Sequence, residues 1–545
     1  MMVPPLGIRS SLWSILALGI LFYWTRWRRN RSRLPLPPGP KKLPLVGNLF
    51  DMPAERQWEA YHEWSKKLNS DIIHVDVAGM SIVVLSSMEA IRDLFEKRSS
   101  LYSDRPRMPM LVELMGWDFA LGLMRYGSRW RAHRKLFHDA FNVGAAKQFQ
   151  PQERAAAHRL LRRILNRPND IMEHFRHMTG ALIMDVAYGI DVNSPGDRYI
   201  GLAQESMHGL SIASLPGKFL VDTIPALKYV PGWFPGAGFQ RKAKEWRKVT
   251  QELLETPFAH TKRNIALSTA PPSFTSLSLA ALESSNNDET GEQETIIKAT
   301  AASMYSAGAD TTVAALGTFV LAILENAEVQ RKAQVELDAV LGPGHLPDFS
   351  DEVALPYVSA VVKEVLRWRN VTPIAIPHYL PVDDDYRGYR IPAGSTWLII
   401  SNLTLLFHLM AILHDESMYP DPHAFKPERF LLNGKLNQAV RDPETVAFGF
   451  GRRICPGRHM ATSSLMITIA SILTTMDIKK ARDENGEEVQ PSHEYFPGLV
   501  SSVFRVLTDI TPLSPNYSPP LPFECSITPR SRQAVEVIQA TLASE

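Results

Sequence analysis

Phe448-Gly449-Phe450-Gly451-Arg452-Arg453-Ile454-Cys455-Pro456-Gly457 is the run on which the fold of this chain turns. It fits the pattern F-x-x-G-x-R-x-C-x-G at all five fixed positions: Phe448, Gly451, Arg453, Cys455 and Gly457. A lone cysteine is more often a buried structural thiol than a ligand. Five matched positions around it weigh heavily against that plain alternative. The chain's only other cysteine is Cys525, so counting alone excludes a cysteine-rich zinc site and a disulfide framework. Such sparse cysteine usage fits a reducing, cytosol-facing compartment.

The run resembles the haem-binding loop of the cytochrome P-450 family, the haem-thiolate monooxygenases. The resemblance implies that Cys455, as a thiolate, is the axial ligand of a haem b iron, a soft donor that favours O–O cleavage. Metal coordination and the positive end of a helix starting near Arg458 would keep the sulfur deprotonated. Gly451 and Gly457 would allow a tight loop and a close backbone approach to sulfur and porphyrin. Arg453 would be a fixed cation for a haem propionate, and Phe448 heads the same cofactor loop.

Working outward, Ala307-Gly308-Ala309-Asp310-Thr311-Thr312 falls in a helix read over 294–325 from its apolar spacing. By itself a mid-helix threonine is more often bonded to a preceding carbonyl. Beside the cysteine loop, the segment resembles the family's oxygen-activation pattern (A/G)-G-x-(D/E)-T. Asp310 and Thr311 would then be the catalytic pair, Asp310 feeding protons inward and Thr311 hydrogen-bonding the oxygen and a water. Gly308 would loosen the helix and leave room for dioxygen.

Glu364 and Arg367 stand three apart, on one helix face, in an E-x-x-R pattern. An exposed pair of this kind contributes only about 0.2–0.5 kcal/mol and is common by chance. Pro427-Glu428-Arg429-Phe430 follows downstream, and the resemblance joins Glu364, Arg367 and Arg429 into a buried structural triad on the cysteine side of the haem. In Trp130-Arg131-Ala132-His133-Arg134, Trp130 and Arg134 lie one helical turn apart. They are candidate propionate partners, with His378 a third; the plain alternative is a basic surface patch. The apolar stretches 371–377 and 108–124 are candidate walls of a substrate site, or ordinary core.

The N-terminus has a charge-free run over 10–25, followed by Arg26, Arg28, Arg29, Arg31 and Arg33. Such a run is slightly short of the roughly 20 residues a spanning helix prefers. The arginines can snorkel, and their position after the apolar run keeps the rest of the chain cytosolic. The expected organisation is a membrane anchor with basic flank over 1–34, a proline-rich hinge over 35–46 and a haem-thiolate monooxygenase domain over 47–545. A net charge of +2 gives no reason to invoke nucleic acid.

The fold implied is mainly α-helical with a small β lobe, the cytochrome P-450 fold behind a single N-terminal transmembrane anchor. Paired strands are read over 72–77 and 82–85, helices over 88–97, 145–166, 171–188 and 236–265, and a solvated connector over 268–293. The reaction implied is monooxygenation of a lipophilic small molecule at the endoplasmic reticulum membrane. NADPH–cytochrome P-450 reductase would supply electrons, with cytochrome b5 a second candidate donor, since no flavin or nicotinamide fingerprint is present. Arg131, Arg134 and Lys135 are candidate docking contacts for the reductase. The sequence style resembles fungal microsomal members acting in secondary metabolism or on terpenoid, steroid or polycyclic xenobiotic substrates. Rival readings are a peroxide-rearranging enzyme of the same fold, against which Asp310-Thr311 argues, and a haem protein that binds without turnover. Segments 398–410 and 502–520 are longer than the family pattern, as lineage-specific loops or retained introns.

Overall fold

A computed structural model describes residues 34–543 apart from 45, 53–56, 78, 193–195, 215–216, 285–289, 394–403, 408 and 492–523. The expected anchor, its arginine flank and the 502–520 segment lie outside the described residues.

Helices dominate because apolar residues recur at helical spacing over long stretches. The main ones are α1 (Gln57–Leu68), α2 (Ser128–Phe141), α3 (Gln150–Asn166), α4 (Ile171–Tyr188), α5 (Arg198–Ala213), α6 (Gly238–Ala266), α7 (Phe274–Glu283), α8 (Thr290–Glu325), α9 (Ala327–Leu341), α10 (Pro356–Trp368) and α11 (Arg458–Thr475). The centre is α8, with α2, α4, α6, α7, α10 and α11 packed around it. A helix enclosed on every side can be apolar all round. Accordingly α8 has the length and hydropathy of a membrane span, yet 78% of that window is buried inside the fold. It is a core helix.

The small β lobe begins with β1 (Ile72–Val77) antiparallel to β2 (Met80–Leu85), in the register Ile72↔Leu85. β3 (His378–Tyr379) and β4 (Thr404–Phe407) complete a four-stranded sheet in the order β1-β2-β4-β3, with β4 parallel to β2. The end of the unexpectedly long 398–410 segment thus supplies an inner strand. β5 (Met476–Lys480), after α11, pairs antiparallel with β6 (Cys525–Pro529).

Three readings shift. The helix expected over 88–97 is α-helical only to Ile91 and underwinds to a π-helix over Arg92–Lys97. The helix expected from 145 starts as a 3-10 turn, Ala145–Phe149, because Pro151 suits the first turn of the α-helix that follows. The 268–293 connector contains α7. Ser273 and Ser276 form a reciprocal capping box at its start, and Phe274, Thr275 and Leu279 are buried. Three buried positions among polar neighbours leave too short a pattern to detect in the sequence.

Candidate active site

The cysteine loop is built on two left-handed glycines, Gly449 at φ +75° and Gly451 at φ +59°. A Cβ on Gly451 would lie 2.0 Å from the carbonyl oxygen of Phe95, so this position admits no side chain. Gly457 is different. Its φ is −87° and a Cβ there would meet nothing within 4 Å. The backbone N–H of Cys455 donates to the carbonyl of Phe448 at 2.8 Å, closing the loop. α11 then starts at Arg458, its positive end directed at the cysteine.

The Cys455 thiol is pushed up by burial, while the Gly457 N–H, Arg134 and Arg458 pull the other way without prevailing. The residue as a whole remains half-buried. The scaffold alone does not ionise this sulfur; a coordinated metal ion would.

Three guanidiniums converge beside the loop. Arg453 lies over the indole of Trp130, 4.5 Å from the ring centre. It donates to the carbonyls of Ser103 at 2.8 Å, Leu121 at 3.1 Å and Met124 at 2.7 Å. Arg134 donates to Ile454 at 2.7 Å. Arg105, missed in the sequence, is 3% exposed and donates to the carbonyls of Gly122, Ile376 and Pro377 at 2.7–2.8 Å. Burial lowers all three, Arg453 to about 10, and Asp104 is the carboxylate that acts on Arg105 and Arg453. Such a cluster is short of negative charge.

His378 belongs to this group as a neutral ring. It is 3% exposed, donates from Nδ1 to the carbonyl of Tyr102 at 2.7 Å and meets Phe95 edge-on. Burial, Arg105 and Arg453 hold its pKa far below the usual imidazole range. The third expected propionate partner thus stands beside Arg105 and Arg453 as a neutral ring.

These features fit a haem. Its two propionates would balance the guanidiniums, and Trp130 Nε1, buried without a partner, is a donor that such an acceptor would satisfy. The open space beside Gly457 is where a flat macrocycle can approach the backbone.

On α8 the exposure pattern changes abruptly. Between Ala299 and Leu324 the helix is buried except at Ala307, Gly308, Thr311 and Thr312. These share one face, so that face borders a hollow. Thr311 Oγ donates to the carbonyl of Ala307 at 2.9 Å, which leaves its oxygen free to accept. The acid and the alcohol diverge, because Asp310 is 5% exposed and turned toward α4. Gly308 lies on this opened face and also meets α4: a Cβ there would press Ile183 at 3.0 Å, so the missing side chain lets the two helices approach.

Glu364 clasps Arg367 at 2.7 and 2.8 Å with both side chains fully buried, and Arg429 Nε reaches Glu364 at 3.2 Å. Carbonyls of Leu413, Pro422 and Ala424 take the rest of the Arg367 fork. The triad thus has the expected geometry. Of the proposed docking residues, Arg131 and Lys135 are exposed, while Arg134 is half-buried on the cysteine loop.

The chain matches the family model Cytochrome P-450 over residues 37–499. It is 46% identical over 512 residues to cytochrome P-450 monooxygenase 98 of Postia placenta, covering 94% of each chain. It is 42% identical over 532 residues to cytochrome P-450 monooxygenase ple1 of Rhodocybe pseudopiperita, covering 97% of this chain and 95% of the relative. Tryptamine 4-monooxygenase of Psilocybe cyanescens is 39% identical over 529 residues, 96% of this chain and 98% of its own.

Proposed function

The chain belongs to the cytochrome P-450 family, whose members are haem-thiolate monooxygenases, and we propose that it inserts one oxygen atom from O2 into a lipophilic small molecule. The bound haem supplies dioxygen activation, given two electrons and two protons. We assign the electrons to NADPH through a separate reductase, with cytochrome b5 as second donor. Residues 10–25 are assigned to a single-pass anchor in the endoplasmic reticulum, with the catalytic domain in the cytosol.

The chain's own residues divide the work. Cys455 binds the metal, and Trp130, Arg134, Arg453, Arg105 and His378 hold the propionate edge. The triad of Glu364, Arg367 and Arg429 keeps the cysteine side rigid. Thr311 accepts a hydrogen bond in the hollow, and Asp310 supplies protons from the α4 side. Gly122 approaches Ile376, a Cβ on the glycine lying 3.5 Å from Cδ1, which joins the two expected substrate walls. Apolar walls suit a terpenoid, steroid or polycyclic skeleton, in secondary metabolism or in xenobiotic breakdown. One relative is named for oxidising tryptamine; we take from it the reaction type and not the substrate.

The observation that carries this reading is Thr311 on the one opened face of α8, with a buried acid beside it in sequence. A peroxide-rearranging enzyme has no need of that pair. The test is NADPH consumption and product formation by the full chain with added reductase, across a terpenoid, steroid and polycyclic panel. Substrate-dependent consumption with oxygenated product is expected. A normal reduced carbon-monoxide spectrum with no consumption on any compound would favour binding without turnover.

A further inference from the structure

The wall segment 108–124 is fastened differently at its two ends. At the inner end the Leu121 N–H donates to Ser303 Oγ of α8 at 3.2 Å, and that hydroxyl lies 3.2 Å from the carbonyl of Phe119. Ser303 stands one turn before Ala307, where the opened face of α8 begins. Arg105 and Arg453 hold the carbonyls of Gly122, Leu121 and Met124. At the outer end Pro109–Leu114 is a π-helix, in which the Met115 N–H reaches back five residues to the carbonyl of Met110 at 2.9 Å. Such underwound turns are rare and frequently stand at functional sites.

What steadies this π-helix comes largely from outside it. Asp222 Oδ1 accepts from the Met110 N–H at 2.8 Å, and Arg247 of α6 donates to the carbonyls of Glu113 and Leu114 at 3.1 and 3.2 Å. The Glu113 carboxylate takes Arg107 at 2.6 and 3.1 Å and also Lys228 of the Pro225–Tyr229 turn. Gln240 of α6 in turn donates to the carbonyl of Lys228 at 2.7 Å. Glu113 is thus the one residue through which the wall, the 220–229 connector and α6 are all joined.

We propose that Glu113 is a positioning residue for substrate, an ionic clasp that holds the π-helical wall against the 220–229 connector, so that bulky molecules enter where this outer end lifts. This rests on the monooxygenase reading. The outer end gives way first because its ties are the wetter ones. The side chains of Arg107, Glu113 and Lys228 are 21–42% exposed, so salt weakens their attraction, whereas Ser303 and Arg105 are buried. Met110 and Leu111 lie buried in the clasped segment, so lifting it uncovers an apolar edge that suits an uncharged, lipophilic entrant. The wall has a second arrangement open to it, because a π-turn freed of its outside ties can rewind to ordinary α-helical bonds.

The test is stopped-flow binding of two uncharged ligands to the full-length haem-loaded protein, followed by the haem absorption band: imidazole as the small probe and N-tritylimidazole as the large one. In the wild type, entry of the large probe should quicken with added salt. Glu113→Gln should raise its association rate about threefold, abolish the salt dependence and leave imidazole binding unchanged. Glu113→Asp, which keeps the charge, should restore part of the difference. Lys228→Gln cuts the clasp from the connector side and should act in the same direction, which keeps the test open if Glu113→Gln loads little haem. An unchanged rate for the large probe overturns the proposal, as does a salt dependence that survives in Glu113→Gln. An equal change for both probes overturns it too, since that is general loosening around the haem. A size-selective change in a protein that makes no product on any substrate upholds the clasp and defeats the monooxygenase reading instead.

Discussion

Arg134 of α2 hands a guanidinium hydrogen to the carbonyl of Ile454, 2.7 Å away, immediately before the cysteine. One residue of the W-x-x-x-R pattern thereby braces the loop that carries the sulfur. A hydrogen bond from a charged donor contributes about 1.5–3 kcal/mol. Arg134→Ala should therefore loosen the loop, lowering the denaturant midpoint for haem release well before that for loss of helix. Arg134→Lys should recover part of the loss. Coincident midpoints in the alanine variant would count against this bracing role.

The two motif glycines should fail differently. Gly451→Ala meets the Phe95 carbonyl and a left-handed backbone that costs a non-glycine residue about 1–2 kcal/mol. Apo and holo protein should both be destabilised. Gly457→Ala has neither problem, so the apo protein should melt as wild type while haem affinity falls. Thermal melting of the two apo proteins, with haem titration, separates the cases; equal apo destabilisation would contradict the assignment.

What the sequence disclosed followed the chemistry. Cys455, Arg453, Glu364, Arg367 and Arg429 sit in short patterns whose residue types are dictated by metal binding or charge pairing, and the structure brings the last three together. Gly308 was legible as a glycine, but its contact with α4 was not, since only the fold reveals Ile183 against it. Arg105 was invisible because nothing in the chain separates a buried arginine from an exposed one. Its surroundings come from segments far apart, Gly122 and Ile376. The β4 strand was hidden because pairing partners in β2 and β3 decide it, not its own four residues.

The triad should show a rank order. Removing Glu364 leaves two buried arginines without a counter-charge, a loss of about 3–5 kcal/mol. Arg429 touches Glu364 at a single 3.2 Å contact and also donates to the carbonyls of Pro420, Asp421 and Ala424. Arg429→Ala should therefore destabilise less than Glu364→Ala, with haem-loaded yield following the same order. A reversed order in chemical unfolding would contradict the geometry.

Thr311 allows a test of shape against hydroxyl. Its proton is committed to Ala307, so its oxygen is what it offers the hollow. Thr311→Val keeps volume and should keep haem, yet product per NADPH should fall on the order of tenfold and hydrogen peroxide rise. Thr311→Ser should restore most coupling. Full coupling in the valine variant would remove Thr311 from the mechanism.

Glu153 provides a pH test far from substrate. It lies in the first turn of α3, 1% exposed, with Oε2 accepting from Ser463 of α11 at 2.5 Å and Oε1 buried without a partner. Burial pushes its carboxyl from 4.5 up to about 8. A raised pKa means that the folded state holds the proton more tightly than the unfolded chain does. The stability this provides is fully present below about 4.5 and is lost as pH rises through about 8. Within that window the loss approaches about 1.4 kcal/mol per pH unit as an upper bound. Glu153→Gln keeps an oxygen for Ser463 and cannot ionise. Its melting temperature relative to wild type should climb from pH 5 to pH 8 and level off above, in full-length protein freed of haem so that the cysteine ligand does not intrude. A difference that stays constant across that range would mean that Glu153 ionises normally and that solvent reaches the α3–α11 contact.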